Sequence, residues 1–193
     1  MTLHAWLLAV AVILGGGAAA ADSLLAGHET SAVALAEAIV NGEMPRVFDL
    51  RTPAEFEAFH VPSATRTTVR DLLALDLPRP TRVVLYAGDA GEAARASMVL
   101  RLRGYRDVAV LRQGLYEWLT RVHEPALAVD ATVQERATFE RLAALSRYFG
   151  GRPRLDVPRA EMPSGDWKAG ADAGSRPSMN TALLVAAIRR RGC

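Results

Sequence analysis

The stretch Val83-Val84-Leu85-Tyr86 runs directly into Ala87-Gly88-Asp89-Ala90-Gly91-Glu92. Four consecutive apolar residues, two of them β-branched, predict a buried strand. The small residues of the next six predict a tight loop, with a helix beginning near Ala90. A buried strand, a short loop and a helix in this order are typical of an α/β fold built on a parallel sheet.

The same alternation continues on both sides of this stretch. Upstream, apolar spacing predicts helices over 31–40 and 53–59, a strand over 46–50 and a helical turn over 71–75. Downstream, the helix is expected to end at Gly104, a strand covers 108–111, and Gly114 begins another helix. The pattern therefore predicts a parallel sheet with helices on both faces.

Composition restricts the class of protein. With 193 residues, half of them hydrophobic, the chain can bury one sizeable core. The net charge of +2 is too small to indicate a nucleic-acid partner. The most basic stretch is Arg189–Arg191, and the sequence shows no basic face of the kind that binds DNA or RNA. The four histidines have no metal-ligand spacing and no Cys/His cluster exists, so we expect neither a metal site nor a cofactor.

The N-terminus resembles an export signal. The segment 5–21 has no charged residue and ends in a run of glycines and alanines, which predicts a signal peptide over 1–21 cleaved after Ala21. The expected location is then the periplasm or the exterior. The alternative is an uncleaved anchor in the inner membrane, formed by the same 5–21, which would be the protein's only membrane contact.

The rest of the chain divides by composition into four parts. We expect an α/β domain over 28–125 and a helical extension over 126–151, whose helix 131–149 packs on that domain. Residues 152–178 are rich in Pro, Gly, Ala, Ser and charge, which predicts a flexible linker. Residues 179–193 are predicted to form a short helix and a basic tail ending in Cys193; the apolar side of this helix carries Leu183, Leu184, Ala187 and Ile188.

Three segments, in order, resemble the single-domain rhodanese family. The first is Val47-Phe48-Asp49-Leu50-Arg51-Thr52-Pro53-Ala54-Glu55-Phe56, followed by His60-Val61-Pro62-Ser63-Ala64. The second is the stretch from Val84 to Glu92, and the third is Leu111-Arg112-Gln113-Gly114-Leu115-Tyr116-Glu117-Trp118. Together they span about residues 30–121, and the resemblance implies a parallel sheet of about five strands flanked by helices.

The resemblance places the family's nucleophilic cysteine at Ala87. In that family a thiolate attacks the outer sulfur of a donor such as thiosulfate and becomes a persulfide, held by backbone amides at a helix start. This chain keeps small residues where those amides converge, but a methyl group cannot attack sulfur. The implied substrate-binding loop consists of Gly88, Asp89, Ala90, Gly91 and Glu92.

Two carboxylates change the character of that loop. Asp89 and Glu92 have the spacing of a capping box at the start of a helix, and Glu92 stands near the place where many family members have an arginine. At about 5 Å a carboxylate repels each unit of negative charge by about 1–3 kcal/mol. We therefore expect the loop to be catalytically silent.

The remaining motif residues are interpreted as structural. Asp49 and Arg51 lie at a strand end, where a charge pair can fix the direction of the chain. Glu55 and His60 belong to the same signature, while Gly114 and Trp118 belong to the third segment.

Cys193 is the only cysteine of the chain, and it leaves two functions open. The first is a non-catalytic binding or regulatory module that recognises a periplasmic protein or a small sulfur-containing anion. The second is sulfur handling, as a sulfurtransferase or persulfide carrier, by Cys193, whose arginine neighbours lower a thiol pKa. Whether the chain is an enzyme is therefore left open.

Overall fold

A five-stranded parallel sheet forms the centre of the computed structural model, which describes residues 28–163. The strands are β1 (Glu29–Thr30), β2 (Arg46–Asp49), β3 (Thr65–Arg66), β4 (Val83–Tyr86) and β5 (Val108–Leu111). Their spatial order is β1-β5-β4-β2-β3, and every neighbouring pair is parallel. The predicted α/β fold with about five parallel strands is confirmed.

Helices cover both faces of this sheet. They are α1 (Ala32–Val40), α2 (Pro53–Ala58), α3 (Val69–Ala74), α4 (Ala90–Leu102) and α5 (Leu115–Glu117), which continues as a π-helical turn over Trp118–His123. Side chains alternate across β4, so Val84 and Tyr86 join the core beneath α1, while Val83 and Leu85 join the core beneath α4. β4 and β5 are therefore apolar at every position.

The two edge strands were not predicted. Glu29–Thr30 and Thr65–Arg66 are each two residues long and carry polar side chains. Both are held by pairing with a longer neighbour, since Thr30 aligns with Leu111 and Thr65 with Phe48. A two-residue strand is too short to show any periodicity, so its partner alone defines it.

The helical extension shares the core of the domain. It begins with β6 (Ala126–Ala128) and continues as α6 (Val133–Tyr148), which starts with a capping box between Thr132 and Glu135. Leu145 of α6 belongs to the same buried cluster as Trp118 and Tyr86. Residues 126–151 therefore complete the hydrophobic core rather than lying beside it.

The first part of the expected flexible linker over 152–178 is ordered, which corrects that expectation for these residues. Arg154–Val157 form β7, which pairs in parallel with β6, and Arg159–Glu161 form a 3-10 turn. Arg159 lies 2.8 Å from Asp130 and 3.1 Å from Glu135. These partners are distant in sequence, so the local composition could not indicate them.

Three predicted segments lie outside the described residues: the signal peptide over 1–21, the linker beyond residue 163, and the tail with Cys193. Within 28–163 there is no helix with the length and apolar character needed to cross a bilayer. The export signal and the alternative membrane anchor stay predictions.

Candidate functional site

The loop that follows β4 starts with Ala87 at the carboxyl end of the central strand. Ala87 is partly buried and packs against the core beneath α4. Asp89 caps α4, and its Oδ1 accepts a hydrogen bond from the Gly91 N–H at 3.0 Å. The predicted cap is therefore present, with Gly91 rather than Glu92 donating to the Asp89 side chain.

Two neighbouring strand ends enclose this loop. Gly114 follows β5 with φ of +54°, and a Cβ there would lie 3.3 Å from the Ala87 carbonyl oxygen. On the other side, a Cβ on Gly88 would lie 3.9 Å from Glu55 Oε1 and 4.0 Å from Arg51 Cγ. The structure thus brings the loop together with Arg51, Glu55 and Gly114, as parallel topology requires of adjacent carboxyl ends.

Side chains of both charges lie beside the loop. The Asp89 side chain is half exposed and lies 3.6 Å from Arg95, and Glu92 sits in the first turn of α4. The hydrogen bond that Thr52 donates to Glu55 lowers the pKa of this carboxyl, with help from the Arg51 charge. Glu55 therefore stays ionised beside Gly88, while the Arg95 guanidinium lies beside Gly91 and Asp89.

A buried ion pair fixes the end of β2. Arg51 Nη2 lies 2.5 Å from Asp49 Oδ2, and the two side chains are only 3% and 0% exposed. Arg51 also donates a 2.8 Å hydrogen bond to the Phe59 carbonyl. Burial alone would lower the pKa of Arg51, but the hydrogen bonds and charge of Asp49 outweigh it and raise that pKa. The pair ties the strand to the turn that follows α2.

Tyr86 connects the sheet to the turn that follows α2. Its hydroxyl accepts a 3.1 Å hydrogen bond from the Val61 N–H, and burial strongly raises its pKa, so the phenol stays protonated. His60 places Nδ1 2.9 Å from the Phe56 carbonyl oxygen and stacks on the Phe56 ring. These contacts hold His60 against the C-terminal part of α2, which supports its interpretation as a structural residue.

Sequence reasoning missed a buried carboxylate, Glu117. Its Oε2 accepts a hydrogen bond from the Ala32 N–H at 3.0 Å, and its Oε1 lies 2.5 Å from Arg112. Glu117 therefore holds the start of α1 against α5, and its hydrogen bond and charge raise the pKa of Arg112. An acid immediately before the buried Trp118 was the available signal, since a charge inside an apolar segment usually has a partner.

Trp118 belongs to the core rather than to the rim of the site. Its side chain is 0% exposed and meets the Phe149 ring edge-on at 5.1 Å between centroids. Cys193 lies outside the described residues, so the structure does not test its approach to the loop. Among residues 28–163 no group of three His, Cys, Asp or Glu side chains could hold a metal ion.

Comparison with known proteins identifies the pattern. Residues 31–121 match the family model described as the rhodanese-like domain. A solution structure of the rhodanese-like domain of an Anabaena sp. protein is 22% identical, covers 47% of this chain and 71% of that chain, and has a TM-score of 0.42. None of the curated proteins matches the sequence.

Two solved single-domain sulfurtransferases are also similar. Human TSTD1 is 20% identical, with 47% of this chain and 94% of that chain covered and a TM-score of 0.43. RDL2 from Saccharomyces cerevisiae is 16% identical, with 49% and 89% covered and a TM-score of 0.43.

Proposed function

We propose that this protein acts as a non-catalytic binding or regulatory module, on the basis that residues 31–121 match the family model of the rhodanese-like domain. The observation that carries the proposal is Ala87 at the end of β4, where the family resemblance expects a cysteine. A methyl group offers no lone pair to sulfur, so the loop cannot form a persulfide.

The charges around the loop support a role in binding rather than in transfer. Glu55 beside Gly88 and Glu92 in the first turn of α4 oppose a small dianion, whereas Arg95 at 3.6 Å offsets part of the charge of Asp89. The ligand we propose is a protein partner, with a small sulfur-containing anion as the weaker choice. If the predicted export signal is used, this partner resides in the periplasm or outside the cell.

Sulfur handling by Cys193 is the second candidate. The chain has one cysteine, and it follows three arginines and a glycine. Neighbouring positive charge lowers the pKa of a thiol and increases the fraction of reactive thiolate. In this version the sulfur atom travels as a persulfide on Cys193, and the domain serves as its carrier or docking partner.

Intact mass after incubation with thiosulfate or a low-molecular-weight persulfide separates the two candidates. If the protein is a binding module, the full chain should acquire no more sulfur adduct than a free low-molecular-weight thiol does under the same conditions. The Cys193→Ser variant is the matched control, because it removes the only thiol. A stable adduct on wild type that passes to cyanide, and is lost in Cys193→Ser, would replace the first candidate by the second.

A further inference from the structure

Arginines that are far apart in the sequence lie together where β2, β4 and β5 begin. The Arg46 N–H donates a 2.9 Å hydrogen bond to the Arg82 carbonyl, and the Val83 N–H donates a 2.8 Å hydrogen bond to the Asp107 carbonyl. These bonds bring three connecting segments side by side, over residues 43–46, 75–82 and 101–107. The segments contain six arginines: Arg46, Arg79, Arg82, Arg101, Arg103 and Arg106.

Carboxylates offset only part of this charge. The same three segments contain Glu43, Asp76 and Asp107, so six positive and three negative side chains give a net charge of +3. Among the described residues, Arg82 is the one member of the six that forms an ion pair, at 2.9 Å from Glu43. Residues 28–163 as a whole carry as many arginines as aspartates and glutamates together, so the positive charge is concentrated at this end of the sheet.

Local contacts hold two of the guanidinium groups in place. Arg79 donates a 2.5 Å hydrogen bond to the Arg103 carbonyl and lies over the Tyr105 ring, 4.6 Å from its centroid. Arg103 in turn donates to the Leu73 carbonyl. Each bond uses one of the five N–H donors of a guanidinium. Side chains that are already held lose little conformational freedom when they bind a further partner.

Exposed apolar side chains accompany the arginines. Met44 precedes Arg46 by two residues, and Leu102 lies between Arg101 and Arg103; each of the two apolar side chains is 80% exposed. An anionic bilayer takes both kinds of side chain, since its phosphates accept paired hydrogen bonds from arginine and its acyl region accepts apolar groups. A soluble acidic chain would satisfy the arginines alone, so the combination favours a bilayer.

We propose that the surface formed by residues 43–46, 75–82 and 101–107 binds an anionic phospholipid bilayer. Its arginines contact the lipid phosphates, while Met44 and Leu102 enter the interface. The loop after β4 lies at the opposite ends of the strands, so it stays accessible while the bilayer is bound. The contact depends neither on the function proposed for that loop nor on the predicted segment 5–21.

Sedimentation of the full chain with lipid vesicles tests the charge of this surface. Vesicles that contain phosphatidylglycerol should bind at least about tenfold more tightly than phosphatidylcholine alone, and added salt should weaken this binding. Arg46 and Arg106 are exposed and have no side-chain contact among the described residues, so Arg46→Glu with Arg106→Glu should leave the fold intact. The double variant is expected to bind phosphatidylglycerol vesicles at least about tenfold more weakly.

Arg136→Glu with Arg147→Glu is the matched control. It changes the net charge by the same amount but on α6, where both arginines are exposed, and it leaves the rest of the chain unchanged. This variant should keep most of the affinity for phosphatidylglycerol vesicles. Circular dichroism verifies that both double variants are folded.

A fluorescent label tests the apolar part of the contact. In a Cys193→Ser chain, an environment-sensitive dye on Leu102→Cys should shift its emission to shorter wavelength on phosphatidylglycerol vesicles. The same dye on Ala144→Cys, an exposed position of α6, should not shift.

Four results would overturn the proposal. They are equal binding to the two kinds of vesicle, equal losses in the two double variants, and a dye at residue 102 that responds no more than the dye at residue 144. The fourth is binding to soluble polyglutamate as tight as that to vesicles, which would identify an acidic protein as the partner.

Discussion

Two neighbouring strands end differently at the same edge of the sheet. Asp49 of β2 is aligned with Tyr86 of β4, yet β2 continues into a buried ion pair and β4 into an open loop. The Asp49 side chain is 0% exposed, whereas that of Asp89 is 50% exposed. The buried Asp49–Arg51 pair holds the end of β2 in place, so we expect substitutions in the exposed loop after β4 to leave the domain folded.

The largest change we expect is chemical, and it tests whether the loop lacks only its nucleophile. In a Cys193→Ser chain, Ala87→Cys with Glu92→Arg should create a thiol beside backbone amides and remove one repelling carboxylate. Incubation with thiosulfate is then expected to give a persulfide, detected by intact mass, where the unmodified loop gives none.

Ala144→Cys in the same background is the control, because it places an exposed thiol on α6, away from the N-terminus of α4. A correctly folded Ala87→Cys variant that reacts no better than this control would show that the loop geometry itself is unsuited to sulfur transfer.

The second prediction concerns the buried side of the comparison. Asp49→Ala leaves the Arg51 guanidinium buried without its carboxylate and should lower the free energy of unfolding by about 3–5 kcal/mol. Asp89→Ala removes only an exposed helix cap and should cost about 1 kcal/mol. Urea denaturation measures both, and equal losses would refute the division between the buried pair and the loop.

Two glycines extend the same contrast. A Cβ on Gly151 would lie 2.1 Å from the His123 carbonyl oxygen, so Gly151→Ala must displace backbone and should destabilise the fold by about 1–3 kcal/mol. Gly88→Ala meets nothing closer than 3.9 Å and should change stability by less than about 0.5 kcal/mol. Thermal unfolding of the two variants checks the order; a Gly88→Ala loss as large as that of Gly151→Ala would contradict it.

The smallest effect is a pH dependence at the contact between the domain and its extension. Burial lowers the pKa of His123 below its ordinary value of 6.5, so the unfolded chain binds a proton more readily than the folded one. The contribution of neutral His123 to the free energy of unfolding is then fully present above pH 6.5 and decreases as the pH falls through 6.5 towards the lower pKa of the folded state.

Urea midpoints at about pH 7 and about pH 5 should show a smaller difference for His123→Phe, which keeps a ring against Phe59, than for wild type. His28→Phe, at the exposed start of the described chain, is the control and should leave the wild-type difference unchanged. An unaltered pH response in His123→Phe would contradict the assignment.

Local patterns sufficed for the central part of the fold. The apolar runs at 83–86 and 108–111 are buried strands because both faces of the sheet are covered, and Asp89 caps α4 because its short carboxylate reaches a free amide. The same locality placed Gly88 and Asp89 in the loop and Glu92 in the first turn of α4. That Arg51, Glu55 and Gly114 lie beside this loop was not predicted, since the sequence analysis interpreted them only as structural residues.

Contacts between residues far apart in the sequence could not be predicted from it. Glu117 is buried because it binds the Ala32 amide, 85 residues away, and β7 is a strand because it pairs with β6. Gly151 has to be glycine because a carbonyl from His123 passes beside it. Each of these depends on a partner that no spacing rule identifies, so composition suggested a linker where the chain forms a strand.

The most direct test of the central claim is steady-state transfer of sulfane sulfur from thiosulfate to cyanide by the full-length Cys193→Ser chain. With Ala87 at the end of β4 and no thiol left, the account predicts a rate equal to that of the reaction without protein. Turnover above that background, retained in a preparation of verified mass, would contradict the account and require another nucleophile in the domain.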